Sequence, residues 1–254
     1  MDKMWIHILI IGLLPAFFWV FFWLREDKDS DPEPTKLIVK TFIAGGVAAF
    51  LALIIQAMII QFQLYKNGEV SGVFAFAFVE EILKFFVIYE FALKSRFNNE
   101  RMDPVLYMII GAIGFSAVEN IFYLFDYIHN SEYIKSMIDG SYRFVGSTLV
   151  HTISSAFIGL GCAAMFFKPK IYRFFTILIG LTVSILAHSI FNFLVSSGDE
   201  FYKNLAFYLS WVSIVILLVI FEYLRRDQRI RPRSSVRHLF YKKKRIKIIR
   251  KDFN

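Results

Sequence analysis

Phe78-Val-Glu-Glu-Ile-Leu-Lys84 sets two adjacent carboxylates and an ammonium inside a run that is otherwise apolar from Gly72 to Leu93. A run of that length is enough to cross a bilayer, which takes roughly 20 apolar residues. A charge held there costs roughly 2.5–3.5 kcal/mol or more, so charged residues in such runs are rare and usually functional. On a helix Lys84 lies four residues after Glu80 and three after Glu81 and can pair with either. One carboxylate is then neutralised, and the other still needs a proton, a metal or a partner on another helix.

The rest of the 254-residue chain has the same character. It is 57% hydrophobic, contains 30 Phe and has a mean hydropathy of +0.53, more apolar than an ordinary soluble domain. Trp5–Leu24, Leu37–Tyr65, Gly72–Leu93, Pro104–Phe125, Phe144–Phe167, Phe174–Val195 and Asn204–Leu224 read as spans. The fold class is therefore all-α, a polytopic membrane protein with about seven transmembrane helices. Pro15 predicts a kink in the first span, and the prolines of Asp29-Ser-Asp-Pro-Glu-Pro34 separate it from the second. Asp126–Arg143 reads as a longer polar connection with room for a short interfacial helix. Trp5–Leu24 reads as a retained helix, since it has only Lys3 as a basic flank and no Ala-x-Ala cleavage site. The single cysteine, Cys162, lies in a span and reads as a packing residue. Residues 1–224 form the membrane domain and 225–254 a basic tail.

Orientation follows from the charges. Thirteen of the 29 Lys and Arg follow Glu222, and the loops after spans one, three and five are also basic. The opposite side carries only Lys3, Lys66, Lys135, Arg143 and Lys203, with Lys84 intramembrane. The positive-inside rule places the C-terminus in the cytoplasm and the N-terminus outside, in the plasma membrane. Lys242-Lys-Lys-Arg245 in the tail suits the anionic inner leaflet, at ~1 kcal/mol per basic residue close to the surface. Membrane retention accounts for that charge without nucleic acid. Arg143 reads as a headgroup contact.

Further polar residues interrupt spans four to six. Span four contains Gly111-Ala-Ile-Gly-Phe-Ser-Ala-Val-Glu-Asn-Ile-Phe-Tyr123, with Glu119 and Asn120 among apolar neighbours and small residues that let another helix approach. Span five carries His151, with Ser147, Thr148, Ser154 and Ser155 near its face. Span six carries His188 and Asn192, four apart on one face. Measured from the predicted outer ends Gly72, Phe125, Phe144 and Val195, the acidic pair, Glu119, His151 and His188 all lie six to nine residues inward. At 1.5 Å per residue they share a layer ~9–14 Å deep. Alternate spans run in opposite directions, so the counting does not impose this agreement. The expectation is one polar site formed by spans three to six. Imidazoles and carboxylates suit a borderline metal such as zinc, with an open position for water. The soluble His-Glu-x-x-His signature is absent. Spacing alone indicates a polar intramembrane site and leaves its chemistry open.

Glu80-Glu-x-x-Lys84, Phe115-x-x-x-Glu119-Asn-Ile-x-Tyr123, His151 in an apolar span and His188-x-x-x-Asn192 resemble, in order and spacing, the PrsW family of bacterial intramembrane proteases. The acidic proline loop before span two is similar to that family as well. The resemblance runs from about residue 5 to 222 and extends to the CAAX-type proteases, which share paired glutamates, a later His and a His-x-x-x-Asn. It implies a membrane-embedded metalloprotease with a divalent metal, Zn2+. It also implies the first, extracytoplasmic-side cut in a single-span anti-sigma factor, leading to sigma-factor release under envelope stress. By the resemblance Glu80 and Glu81 are the acidic pair, one a general base and the other a ligand or proton shuttle. With Glu81 as ligand, the metal set is Glu81, His151 and His188. Asn192 holds the oxyanion, and Glu119 ligates or orients.

Two other function classes compete. A transporter or proton-coupled channel would use the same Glu and His as a relay, but no inverted repeat is visible. A non-catalytic immunity or binding protein on the same scaffold would have no need of the intact Glu80, Glu81, His151 and His188.

Overall fold

The computed structural model describes the backbone of residues 2–27, 33–63, 70–129 and 133–230, and the side chains of 12–25, 33–63, 70–125, 145–224 and 226. The described residues form seven α-helices and no strands: α1 (Asp2–Asp27), α2 (Thr35–Gln61), α3 (Val70–Ile88), α4 (Asp103–His129), α5 (Tyr133–Ala164), α6 (Lys170–Ser196) and α7 (Glu200–Ile230). One turn of π-helix, Tyr89–Leu93, extends α3. The chain stays helical through Pro15. Pro34 and Pro169 stand immediately before α2 and α6, where a missing N–H costs nothing.

The Asp126–Arg143 connection is much shorter than its polarity suggests. α4 continues to His129 and α5 begins at Tyr133, leaving 130–132 between them. Polar residues end an apolar run without ending a helix, and no proline stands in this segment to stop one. Residues 231–254, which hold the basic cluster of the tail, and the side chain of Arg143 lie outside the described residues.

Among the described residues, five helices are long and apolar enough on their own to cross a membrane: α2, α4, α5, α6 and α7. α3 falls outside that group because it carries Glu80, Glu81 and Lys84. In α1 the described apolar stretch, Gly12–Arg25, is short. The layering follows from burial. The spans of α4 and α5 are 78% buried, against 22–28% for α2, α6 and α7. α4 and α5 therefore form the centre, with α1 and α2 against α4, and α6 and α7 against α5. α3 packs against α2, α4, α5 and α6. The outer faces of α2, α6 and α7 expose Phe50, Ile54, Phe175, Ile179, Val215 and Val219, as a lipid-facing surface does.

Apolar side chains gain little by leaving lipid for a helix interface, so the helices associate through close backbone packing. A Cβ at Gly45 of α2 would collide with the Gly111 carbonyl of α4. A Cβ at Gly161 of α5 would likewise collide with the Thr176 carbonyl of α6, and one at Gly180 of α6 with the Phe157 carbonyl of α5. The small-residue face of α2 continues through Ala48, Ala49 and Ala52, which pack around Phe115. This brings the far half of α2 close to α3.

Candidate active site

The buried face of α3 presents Glu80, Glu81 and Lys84 to the interior. Glu81 and Lys84 are both fully enclosed and form an ion pair. Glu81 also accepts hydrogen bonds from His188 Nδ1 at 2.7 Å, Ser154 Oγ at 3.0 Å and Ser184 Oγ at 2.9 Å, with Ser155 Oγ at 3.5 Å. Both of its oxygens are thus engaged. Lys84 Nζ also lies 2.9 Å from His151 Nδ1 and 4.6 Å from the centre of the Phe115 ring. An ammonium can only donate. His151 Nδ1 therefore accepts, and its proton sits on Nε2, which donates to Glu119 Oε2 at 2.5 Å. Ser147 Oγ donates to the same oxygen at 3.2 Å.

Glu80 is held differently. Its Oε1 accepts from Gln56 Nε2 of α2 at 2.8 Å. Its Oε2 is buried with no hydrogen-bond partner, 3.7 Å from His188 Nε2 and 3.9 Å from His151 Nδ1. The two imidazoles stand edge-to-face with centroids 4.8 Å apart. His188 donates from Nδ1 to Glu81, which leaves its Nε2 lone pair directed toward Glu80.

This arrangement fits a divalent cation on three counts. Glu80, His151 and His188 each offer a donor atom within 4.8 Å of the others. One donor is an orphaned buried carboxylate oxygen, which costs free energy unless something binds it. Two buried carboxylates, Glu80 and Glu81, and the part-exposed Glu119 face one ammonium, an excess of negative charge that a divalent ion would balance. The set of three differs from Glu81, His151 and His188 in one position. Glu80 has the free oxygen, while Glu81 supports His188 from behind, as carboxylates behind ligating histidines commonly do.

The layer forms the floor of a cleft of about 930 Å³. Val73 and Phe76 of α3, Phe191 and Asn192 of α6 and Phe207 of α7 line its walls. It reaches Ser196, Glu200 and Lys203 at the α6–α7 turn. There Gly198, at φ +78°, ends α6 in a left-handed conformation, and Asp199 Oδ1 accepts the Phe201 N–H at 2.8 Å to start α7. α3 and α7 both line the cleft, and their described residues do not pack on one another.

Glu80, Glu81, Glu119, His151 and His188 thus meet in one cluster, and Asn192 lines the cleft one turn from His188. Asn120 is buried and is not among the cleft-lining residues. Cys162 sits in the apolar core. Sequence reasoning missed Gln56 and Ser184. Both carry a signal: Gln56 follows Ala52 by one turn on the inward stripe of α2, and Ser184 precedes His188 by one turn.

Comparison with known proteins bears on the chemistry of this cluster. The sequence profile of the PrsW family intramembrane metalloproteases matches residues 33–221. The chain belongs to that family. It is 24% identical to the Protease PrsW of Clostridioides difficile (strain 630) over 199 residues, covering 75% of this chain and 79% of the relative. It is 25% identical to that of Halalkalibacterium halodurans over 175 residues, covering 68% and 75%. For the Protease PrsW of Bacillus subtilis (strain 168) the identity is 23% over 196 residues, covering 75% and 83%. No solved structure matches the chain. The protein is a multi-pass membrane metalloprotease, and this membership favours the enzyme reading over the transporter relay and the non-catalytic binder.

Proposed function

We propose that this protein makes the first, extracytoplasmic-side cut in a single-span anti-sigma factor. The observation that carries the reading is the unpartnered Glu80 Oε2 facing His151 and His188 at the floor of a cleft. Seven helices cross the membrane, α3 among them, its charges enclosed by its neighbours. The N-terminus lies outside and the C-terminus in the cytoplasm, so the cleft mouth at the α6–α7 turn faces outward. Residues 1–224 are the protease domain, and 225–254 bind the anionic inner leaflet. A substrate helix enters between α3 and α7, and its outer part unwinds over the polar floor.

Glu80, His151 and His188 would hold the metal, and zinc suits two imidazoles and a carboxylate. When bound, the metal supplies Lewis-acid polarisation of the scissile carbonyl and lowers the pKa of water. The His151 nitrogen on the side of Glu80 is Nδ1, which also accepts from Lys84. Glu81 fixes the tautomer of His188 through its Nδ1–H. Glu119 is 30% exposed at the side chain and lies on the cleft. Its carboxylate takes a proton from the attacking water as the water oxygen bonds to the carbonyl carbon. That proton passes to the departing amine as the C–N bond breaks. The Asn192 side-chain amide donates to the oxyanion.

The test is cleavage of candidate anti-sigma factors in proteoliposomes, with the new termini mapped by mass spectrometry. A cut in the outer half of the substrate's membrane segment or just beyond it is expected. A cut in the cytoplasmic half, or products that still form with Glu119→Ala, would overturn the assignment.

A further inference from the structure

We propose that Gln56 is a positioning residue for Glu80, making α2 the fifth helix of the metal site. The inference rests on Glu80 as a ligand. Gln56 stands in the apolar run Leu51–Ile60, the one strongly polar side chain of that stretch. It lies on the stripe formed by Gly45, Ala48, Ala49 and Ala52, which fits α2 closely against α4 and Phe115. That packing brings the amide to Glu80 Oε1 at 2.8 Å, on the wall of the cleft. Only the Nε2 end of the amide can face a carboxylate oxygen, because that end alone donates.

The bond divides the work of the carboxylate. Oε1 is held by Gln56, so the group cannot rotate freely, and Oε2 is left pointing at His151 Nδ1 and His188 Nε2 with no competing donor. Glu80 and Glu81 are neighbours in sequence but have opposite surroundings. Glu81 is saturated by donors from α3, α5 and α6, whereas Glu80 has this single neutral amide. A neutral donor orients the carboxylate and leaves its charge for the metal. A cation at position 56 would compete for it.

Zinc alone is the probe, titrated against a chelator of known affinity with purified full-length protein in detergent. Wild type binds one zinc per chain, and His151→Ala loses it. Gln56→Leu should bind about 10–100-fold more weakly, the usual cost of removing an outer partner of a ligand, with its thermal midpoint near that of wild type. Gln56→Met should show the same loss should the leucine variant fold poorly. Gln56→Lys should abolish binding. Ile55→Ala, an exposed neighbour on α2, should bind as wild type does. Wild-type zinc affinity in Gln56→Leu or Gln56→Met, with the site lost in His151→Ala, would overturn the role of Gln56 and leave the metal reading standing. A wild-type protein that binds no zinc would end both.

Discussion

Replacing Glu81 by glutamine should destabilise the fold more than replacing its partner Lys84 by methionine. Glu81 is fully enclosed and accepts from Lys84, His188, Ser154 and Ser184, with Ser155 at the limit of a hydrogen bond. In Glu81→Gln one oxygen becomes an NH2 group that faces donors, so the former partners compete for a single acceptor. The amide oxygen that remains can still accept from Lys84, but the buried ammonium loses the negative charge that compensated it and keeps only neutral neighbours at that contact, His151 Nδ1 and the face of Phe115 among them. Removing one partner of a buried ion pair costs about 3–5 kcal/mol, and each stranded donor adds about 1–3 kcal/mol. The expected loss is therefore at least about 3 kcal/mol, roughly a hundredfold in the folded-to-unfolded ratio. Lys84→Met leaves the carboxylate with its hydroxyl and imidazole donors, and its loss should be smaller. In Glu81→Gln/Lys84→Met no ammonium is stranded, so the double variant should recover part of the deficit of Glu81→Gln. Equilibrium unfolding in mixed micelles, run on all four proteins, measures each step of the cycle. A Glu81→Gln protein as stable as wild type, or a Lys84→Met protein that loses more, would refute the view that Glu81 is the fully satisfied hub of the polar layer.

Other substitutions separate chemistry from packing. Asn192→Ala should lower kcat by about 10²-fold with little change in KM, because an oxyanion donor acts in the transition state; steady-state cleavage kinetics read this directly. Gly45→Leu places a side chain against the Gly111 carbonyl and should cost about 2–3 kcal/mol by overpacking, seen as a lower unfolding midpoint. Cys162→Ala removes one core atom far from the cleft. It should cost about 1 kcal/mol of stability and leave the cleavage rate unchanged.

Much of this structure was legible in the chain. Long apolar runs mark helices strongly, because a chain in lipid must satisfy its own backbone. The approach of Glu80, Glu81, Glu119, His151 and His188 followed from their similar distance from the predicted helix ends. Three things were not legible, for physical reasons. The ends of α4 and α5 were misjudged because polarity shows where lipid ends, not where a helix does. The division between Glu80 and Glu81 depends on which helices surround each, and adjacent positions on one helix carry no mark of that. Gln56 was hidden because the sequence does not say that α2 approaches α3 closely enough for its amide to reach. The small residues Gly45, Ala48, Ala49 and Ala52 were the clue to that approach.

Glu80 and the two histidines, as the proposed metal-dependent peptidase site, tie metal binding to cleavage. The most direct measurement combines bound-metal content with cleavage of a single-span substrate, for wild type, Glu80→Ala and His151→Ala, with and without a zinc chelator. One metal per wild-type chain, cleavage that stops on chelation and returns with zinc, and loss of both metal and cleavage in the two folded variants are predicted. Cleavage that continues in Glu80→Ala, or in metal-free wild type, would contradict the account.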